Sequence, residues 1–182
     1  MLVNLWRRLP MKAIACLLIL LLPFSNPAYA SDGFEKVECG TDIPKALIGR
    51  RTSNERVVDI EARHKALGLK DLGSDMISDH LSSVNWLICG TEYILLEDDT
   101  VRDVLPFPPH SKQAPAFTGV CQINGKDVPG LIVAVLNYKT GTEPLTANAA
   151  WKIDEKRAKF VTMSTDGLLC PRSGIFTIDG GM

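Results

Sequence analysis

Residues 117–138 have the sequence FTGVCQINGKDVPGLIVAVLNY, and this stretch decides the fold. It contains Asn124-Gly125, the dipeptide that favours a tight two-residue turn between antiparallel strands. Residues 131–136 are continuously apolar, which is typical of a strand buried on both faces. We therefore predict a hairpin of residues 117–123 with residues 128–138, whose second strand lies in the middle of a sheet.

Strand-forming residues continue on both sides of this hairpin. Residues 81–96 form a long apolar stretch that suits a strand, which Gly90 would bend or bulge, and residues 101–107 form the returning strand. Residues 149–153 and 160–163 predict a last hairpin. The tail adds a short strand at residues 175–178, whereas residues 68–78 are rich in turn-forming residues and predict a connection.

The fold class that follows is mostly β, with an α+β arrangement as the alternative. We expect an antiparallel meander of about six or seven strands that forms a curved sheet or an incomplete barrel. Thr41-Asp42 before Pro44 predicts a short N-terminal helix over residues 43–49, with a cap and a first-turn proline. Residues 57–66 alternate between apolar and polar, which favours a half-buried strand, but the same residues also fit a helix with an apolar stripe.

A proline-rich segment separates the two halves of the predicted sheet. Residues 106–115 hold four prolines in ten positions, so they cannot form a central strand and predict a stiff, extended connection. Rigid loops lose little entropy on binding, and binding residues concentrate on loops. We predict a contact loop for another protein with Phe107, His110 and Lys112 as its contact residues; the alternative is a crossover whose prolines block edge pairing.

The first thirty residues are typical of a secretory signal peptide. Three basic residues precede an apolar run at 13–24, and Ala28-Tyr29-Ala30 follows it. The run is shorter than the about 20 apolar residues that a membrane span needs, so we expect no stable span after cleavage. An uncleaved anchor is the alternative, and translation from Met11 instead of Met1 would leave a well-formed signal.

Cleavage would leave residues 31–182, which we predict to be a single globular domain in the periplasm or outside the cell. The chain has 20 basic residues and loses three with the leader, so 17 remain against 21 acidic residues, a net charge of −4. A mildly acidic chain is a poor nucleic-acid binder, because phosphate neutralisation needs clustered lysine and arginine. We therefore expect another exported protein as partner, and no nucleic acid.

Four cysteines would remain after cleavage, Cys39, Cys89, Cys121 and Cys170. An even number in an exported chain predicts two disulfides, and three pairings are open. In a flat meander Cys89 and Cys121 would lie two strands apart, about 10 Å, beyond the bridging limit of about 7 Å. The spacings of structural zinc sites do not occur, so we predict neither a metal nor a cofactor.

The sequence contains none of the common catalytic motifs, and we assign no catalytic residue. His64, His80 and His110 are far apart in sequence. We expect His64 at the edge of the core, bonded to backbone. Its alternative role is that of a base coupled to Glu61 or Asp59, although a strand would place those carboxylates on the opposite face.

These observations predict an exported, non-catalytic domain that binds a protein or an envelope component, for which enzyme inhibition is one form. The alternative is a small secreted hydrolase with a histidine and carboxylate site. A hydrolase would bring two histidines and a carboxylate together in one cleft, whereas a binding domain would leave the histidines on separate faces.

Overall fold

A computed structural model describes residues 32–53, 55–139 and 141–176 of the chain. The protein is mostly β, with 44% strand and 13% helix, as predicted. The described residues form twelve strands rather than six or seven, because several of the strands have only two to four residues. The predicted signal peptide and the end of the predicted tail strand lie outside the described residues.

The elements follow one another along the chain in this order: α1 (Ile43–Leu47), α2 (Val57–Arg63), β1 (Lys70–Ser78), β2 (Leu81–Ile88), β3 (Thr91–Asp98), β4 (Thr100–Pro106), β5 (Ala116–Gly119), β6 (Gln122–Ile123), β7 (Lys126–Asp127), β8 (Ile132–Asn137), β9 (Leu145–Asp154), β10 (Lys159–Thr162), β11 (Leu168–Cys170) and β12 (Ile175–Phe176). Two short 3-10 turns, Lys65–Leu67 and Arg172–Gly174, complete the set.

The first sheet is an antiparallel meander in the order β1-β2-β3-β4. Cys89 and Gly90 connect β2 to β3 with φ angles of 52° and 78°, the left-handed pair that a tight hairpin turn requires. Residues 81–96 are therefore a hairpin, and the prediction of one bent strand was wrong. The prediction of a connection at 68–78 was also wrong, because β1 is an edge strand, where a bulge near Gly73 is tolerated.

The strands of the second sheet lie in the order β12-β5-β8-β9-β11-β6-β7, with β10 paired to β9. One of the two sheets is strongly curled into a half-barrel, which confirms the predicted curvature. β5 pairs with β8, and five of the six residues of β8 are buried, so the predicted central strand is confirmed. Asn124-Gly125 makes the predicted turn, but between the short strands β6 and β7. The predicted hairpin of β9 with β10 is also confirmed.

The two helices cover one face of the first sheet. Helix α1 begins as predicted, with the Asp42 carboxylate accepting a hydrogen bond from the Lys45 amide at 3.1 Å. Helix α2 replaces the strand that we favoured for residues 57–66. A strand would bury Val58 together with Ile60, but Ile60 alone is buried and Val58 is 63% exposed. A helix with a narrow apolar face fits this pattern of burial.

The first sheet lies between two apolar clusters. Its outer face, with Trp86, Tyr93 and Leu95, packs against the helices. Its inner face, with Ile94 and Leu96, packs against residues of the second sheet. A third cluster fills the other face of the second sheet. Successive residues of β3 therefore face different surroundings, as the alternation of a strand requires.

Two disulfides cross-link the chain, as predicted. Cys39 pairs with Cys89 and Cys121 with Cys170, with Cα atoms 5.6 Å and 4.3 Å apart. The first ties the N-terminal segment to the β2–β3 turn, and the second ties the β5–β6 connection to β11. Disulfides form and persist in oxidising environments, so these bonds indicate an exported chain. Within the described residues no helix has the length and apolar character to cross a membrane.

Candidate functional site

Three side chains form a row across one end of the first sheet. Leu87 of β2 pairs with Lys70 of β1 on one side and with Glu92 of β3 on the other. Directly opposed residues of antiparallel strands share a face. Glu92 alternates with Tyr93, which faces outward, so the row lies on the inner face of the sheet.

The proline segment passes over the end of this row. The Phe107 amide donates to the carbonyl oxygen of Glu92 at 2.8 Å, which extends the β3–β4 ladder by one residue. The chain then crosses above the inner face and leaves an open cleft of about 500 Å³, which we call the Glu92 groove. Its lining is mostly apolar and consists of Lys70, Leu72, Leu87, Gly90, Thr91, Glu92, Phe107, Pro108, Pro109 and His110.

Glu92 is a buried acid whose carboxylate accepts no hydrogen bond from the described residues. Its side chain is 7% exposed, and Oε2 lies 3.6 Å from Nε2 of His110. Oε1 is buried and has no hydrogen-bond partner among the described residues. Burial raises the pKa of Glu92, and the neighbouring His110 opposes this shift. Buried polar atoms are normally hydrogen-bonded, so an unpaired carboxylate oxygen on a residue that lines a cleft marks Glu92 as a functional candidate.

Glu92 was not among the residues that we singled out from the sequence. The sequence signal was the position of Glu92 in the alternation of the strand. Glu92 lies two residues before Ile94 and four before Leu96, so it occupies the same face of β3 as these two buried residues. An acid at an inward position of a strand is rare unless it has a partner or a function.

The structure brings together two of the three predicted loop residues. Phe107 and His110 are in contact, with ring centroids 5.4 Å apart, and both line the Glu92 groove. Phe107 is 3% exposed and also packs near Trp151, so its ring belongs to the core and forms a wall of the groove. Lys112 is exposed, lies in the turn closed by hydrogen bonds between Ser111 and Ala114, and does not line the groove.

The other two histidines lie elsewhere. Nε2 of His64 lies 2.8 Å from the buried Asp32 carboxylate, on the outer face beside Phe34. Its partner is therefore neither Glu61 nor Asp59, and the expectation of a backbone partner was also wrong. His80 lies in the β1–β2 turn, at the opposite end of the first sheet from the Glu92 groove. Each histidine thus lies near its own carboxylates, and no two histidines share a cleft.

A second, polar groove of about 540 Å³ surrounds His80 and is rich in acids, including Glu97, Asp98 and Asp99. Glu97 is as buried as Glu92, but it accepts hydrogen bonds from Thr52 and from Ser53, the latter at 2.8 Å. Its carboxylate therefore holds the N-terminal segment against β3. In the part of the chain that the structure describes, no three acids, histidines or cysteines are placed to hold a metal ion.

The chain matches no protein-family model, no curated protein and no solved structure. The interpretation of the site rests on its own chemistry. An unpaired carboxylate oxygen in an apolar cleft accepts hydrogen bonds or pairs with a cation, and the surrounding Leu72, Leu87 and Phe107 provide contact area for an apolar group.

Proposed function

We propose that the chain is an exported, non-catalytic domain that binds a segment of another exported protein in the Glu92 groove. The observation that carries this proposal is the buried carboxylate of Glu92, a residue that lines an open cleft and whose oxygens accept no hydrogen bond from the described residues. An unpaired buried carboxylate costs free energy in the free protein. A ligand that donates a hydrogen bond to this carboxylate recovers part of that cost on binding.

Three features make the groove rigid and support binding. The Cys39–Cys89 disulfide lies next to Gly90 at the end of the groove, the Phe107 amide ties the segment above it to Glu92, and Pro108 and Pro109 restrict that segment. A groove that is already ordered loses little conformational entropy when it is occupied. The proposal thus assigns the predicted binding role of the proline segment to the Glu92 groove.

The alternative of a secreted hydrolase has one observation in its favour, which is the contact of His110 with Glu92. A carboxylate that orients a histidine is part of many hydrolytic sites. We predicted that a hydrolase would bring two histidines to one carboxylate, and the Glu92 groove contains one. We therefore place the hydrolase second and let the experiment decide between the two functions.

The test uses a displayed library of random peptides and the oxidised domain that begins at Ser31. Selected peptides are titrated against the wild type, against Leu87→Trp and Leu72→Trp, which fill the groove without changing its charge, and against Val58→Trp. Val58 is an exposed residue of α2 on the other side of the sheet, so it provides a matched control.

We expect the two groove-filling variants to weaken binding at least about 10-fold and the Val58 variant to leave it unchanged, since loss of a central contact costs that much. Equal binding by all variants that retain the wild-type circular dichroism spectrum would overturn the proposal. Turnover of ester or peptide substrates that disappears in His110→Ala would instead support the hydrolase.

A further inference from the structure

We infer that the group that enters the Glu92 groove is a single basic side chain, a lysine or an arginine of the partner, with Glu92 as its counter-ion. This inference rests on the proposed function and adds the chemistry of the ligand. The geometry that points to it is one buried carboxylate in a cleft whose lining is mostly apolar.

The unpaired carboxylate of Glu92 defines the kind of atom that it can bind. Carboxylate oxygens accept hydrogen bonds, so a ligand atom beside this carboxylate has to be a donor. A charged donor is preferred over a neutral one, because charge-assisted hydrogen bonds are shorter and stronger, and the more so where the bound ligand displaces water from the cleft. Nε2 of His110 lies 3.6 Å from Oε2, beyond hydrogen-bond distance, so neither carboxylate oxygen of Glu92 accepts a hydrogen bond from the described residues.

The walls of the groove define what carries this donor. Leu72, Leu87 and Phe107 lie along the cleft, so a ligand has to cover them with apolar atoms on its way to Glu92. Lysine and arginine have this construction, with a methylene stem and a charged head. A small hydrated cation would leave the apolar walls exposed, and the described residues offer no cluster of ligands for a metal ion.

The rim of the groove limits the charge of the ligand. Lys70 is exposed and lies two strands away from Glu92, on the far side of Leu87, and His110 borders the cleft on the opposite side. Lys70 disfavours additional positive charge at the mouth, since like charges repel over the first Debye length. A partner segment with one basic residue between neutral or acidic residues therefore fits better than a polybasic one.

The test compares three acetylated and amidated pentapeptides that differ at the central position, AAKAA, AAXAA with norleucine as X, and AAEAA. Norleucine has the stem of lysine without its charge, so the first pair isolates the ammonium group. Binding is followed by backbone amide chemical shifts of Thr91 and Glu92 at pH 7, up to about 20 mM peptide, which detects dissociation constants in the millimolar range.

We expect the lysine peptide to bind at least about 10-fold tighter than the norleucine peptide, and this ratio to fall below about 2 in Glu92→Gln, which keeps the shape of the side chain but not its charge. Lys70→Gln should tighten the lysine peptide about 2-fold, because it removes a like charge from the rim. Glu92→Met serves as a second variant if Glu92→Gln does not fold.

Equal shifts with lysine and norleucine, no shifts with lysine, or lysine binding that Glu92→Gln leaves intact would overturn this inference. The proposed function fails separately. If library peptides without a basic residue bind in the groove and lose affinity in Leu87→Trp, only the basic ligand is wrong. If no peptide binds in the groove, both proposals are wrong.

Discussion

The two buried glutamates of β3 should respond in opposite directions to the same substitution. Glu92 and Glu97 are 7% and 4% exposed, and methionine has nearly the length of glutamate without its charge. Glu97 accepts hydrogen bonds from Thr52 and Ser53, whereas one oxygen of Glu92 has no partner among the described residues. We expect Glu92→Met to stabilise the free domain and Glu97→Met to destabilise it.

The magnitudes follow from these contacts. A buried acceptor without a partner costs about 1–3 kcal/mol, and the long contact of Glu92 with the half-buried His110 returns about 0–1 kcal/mol, so Glu92→Met should gain about 1–2 kcal/mol. Glu97→Met loses two hydrogen bonds to a charged group and leaves the Thr52 hydroxyl buried, a loss of about 2–4 kcal/mol. For a domain of this size 1 kcal/mol shifts Tm by about 2–4 °C.

The pH dependence identifies the charge as the cause. Burial raises the pKa of Glu92 in the folded state above its unfolded value, with His110 opposing the shift, and Lys70 is the other charged group that lines the groove. A raised folded pKa means that stability is fully present below the unfolded pKa and is lost as pH rises through the folded pKa. The advantage of Glu92→Met should therefore be largest at pH 7 and shrink on acidification.

The assay is urea unfolding of the oxidised domain, followed by tryptophan fluorescence at pH 7 and at pH 4, for the wild type and both variants. A Glu92→Met domain that is destabilised as strongly as Glu97→Met would refute the reasoning, because Glu92 would then be a structural residue. An advantage of Glu92→Met that does not change with pH would show that shape rather than charge is responsible.

Three further predictions concern export and the framework of the fold. The exported protein should have a mass that begins at Ser31, with all four thiols blocked to alkylation until reduction; a retained leader would contradict the predicted signal peptide. Replacing Cys121 and Cys170 together by alanine should lower the free energy of unfolding by about 2–4 kcal/mol, as measured in urea, since this bond closes a loop of 49 residues; an unchanged urea midpoint would contradict it. Gly174→Ala should lower the free energy of unfolding by about 1–3 kcal/mol relative to the exposed control Ser173→Ala, because a Cβ would lie 2.5 Å from a carbonyl oxygen of β5. Equal melting temperatures of the two variants would contradict this prediction.

Much of the fold could be predicted from local sequence patterns. The continuous apolar run of β8, the cap of α1 and the last hairpin each have a signal within a few residues. The errors arose where tertiary contacts decide between local alternatives. Residues 57–66 fit a strand by alternation. In the structure only Ile60 of α2 is buried in the core, and a helix buries this residue without burying its apolar neighbours.

The candidate site could be predicted only in part, because it depends on pairing between distant strands. The proline segment was recognised from composition, and it does carry His110 to the groove. Glu92 could be identified as a site residue only after Cys89-Gly90 was known to form a turn. The turn fixes the strand pairing, and this pairing places Glu92 beside Leu87 and Lys70. The pairing of the cysteines depends on the same register.

Hydrogen exchange of the domain with and without a library-selected peptide tests the location of the binding site most directly. The backbone amides are measured by mass spectrometry in the free and in the saturated protein. We predict slower exchange in two segments, residues 87–92 and 107–111, and unchanged exchange in α2. Protection confined to the acid-rich groove, at residues 79–82 and 97–99, would contradict the assignment of the Glu92 groove as the binding site.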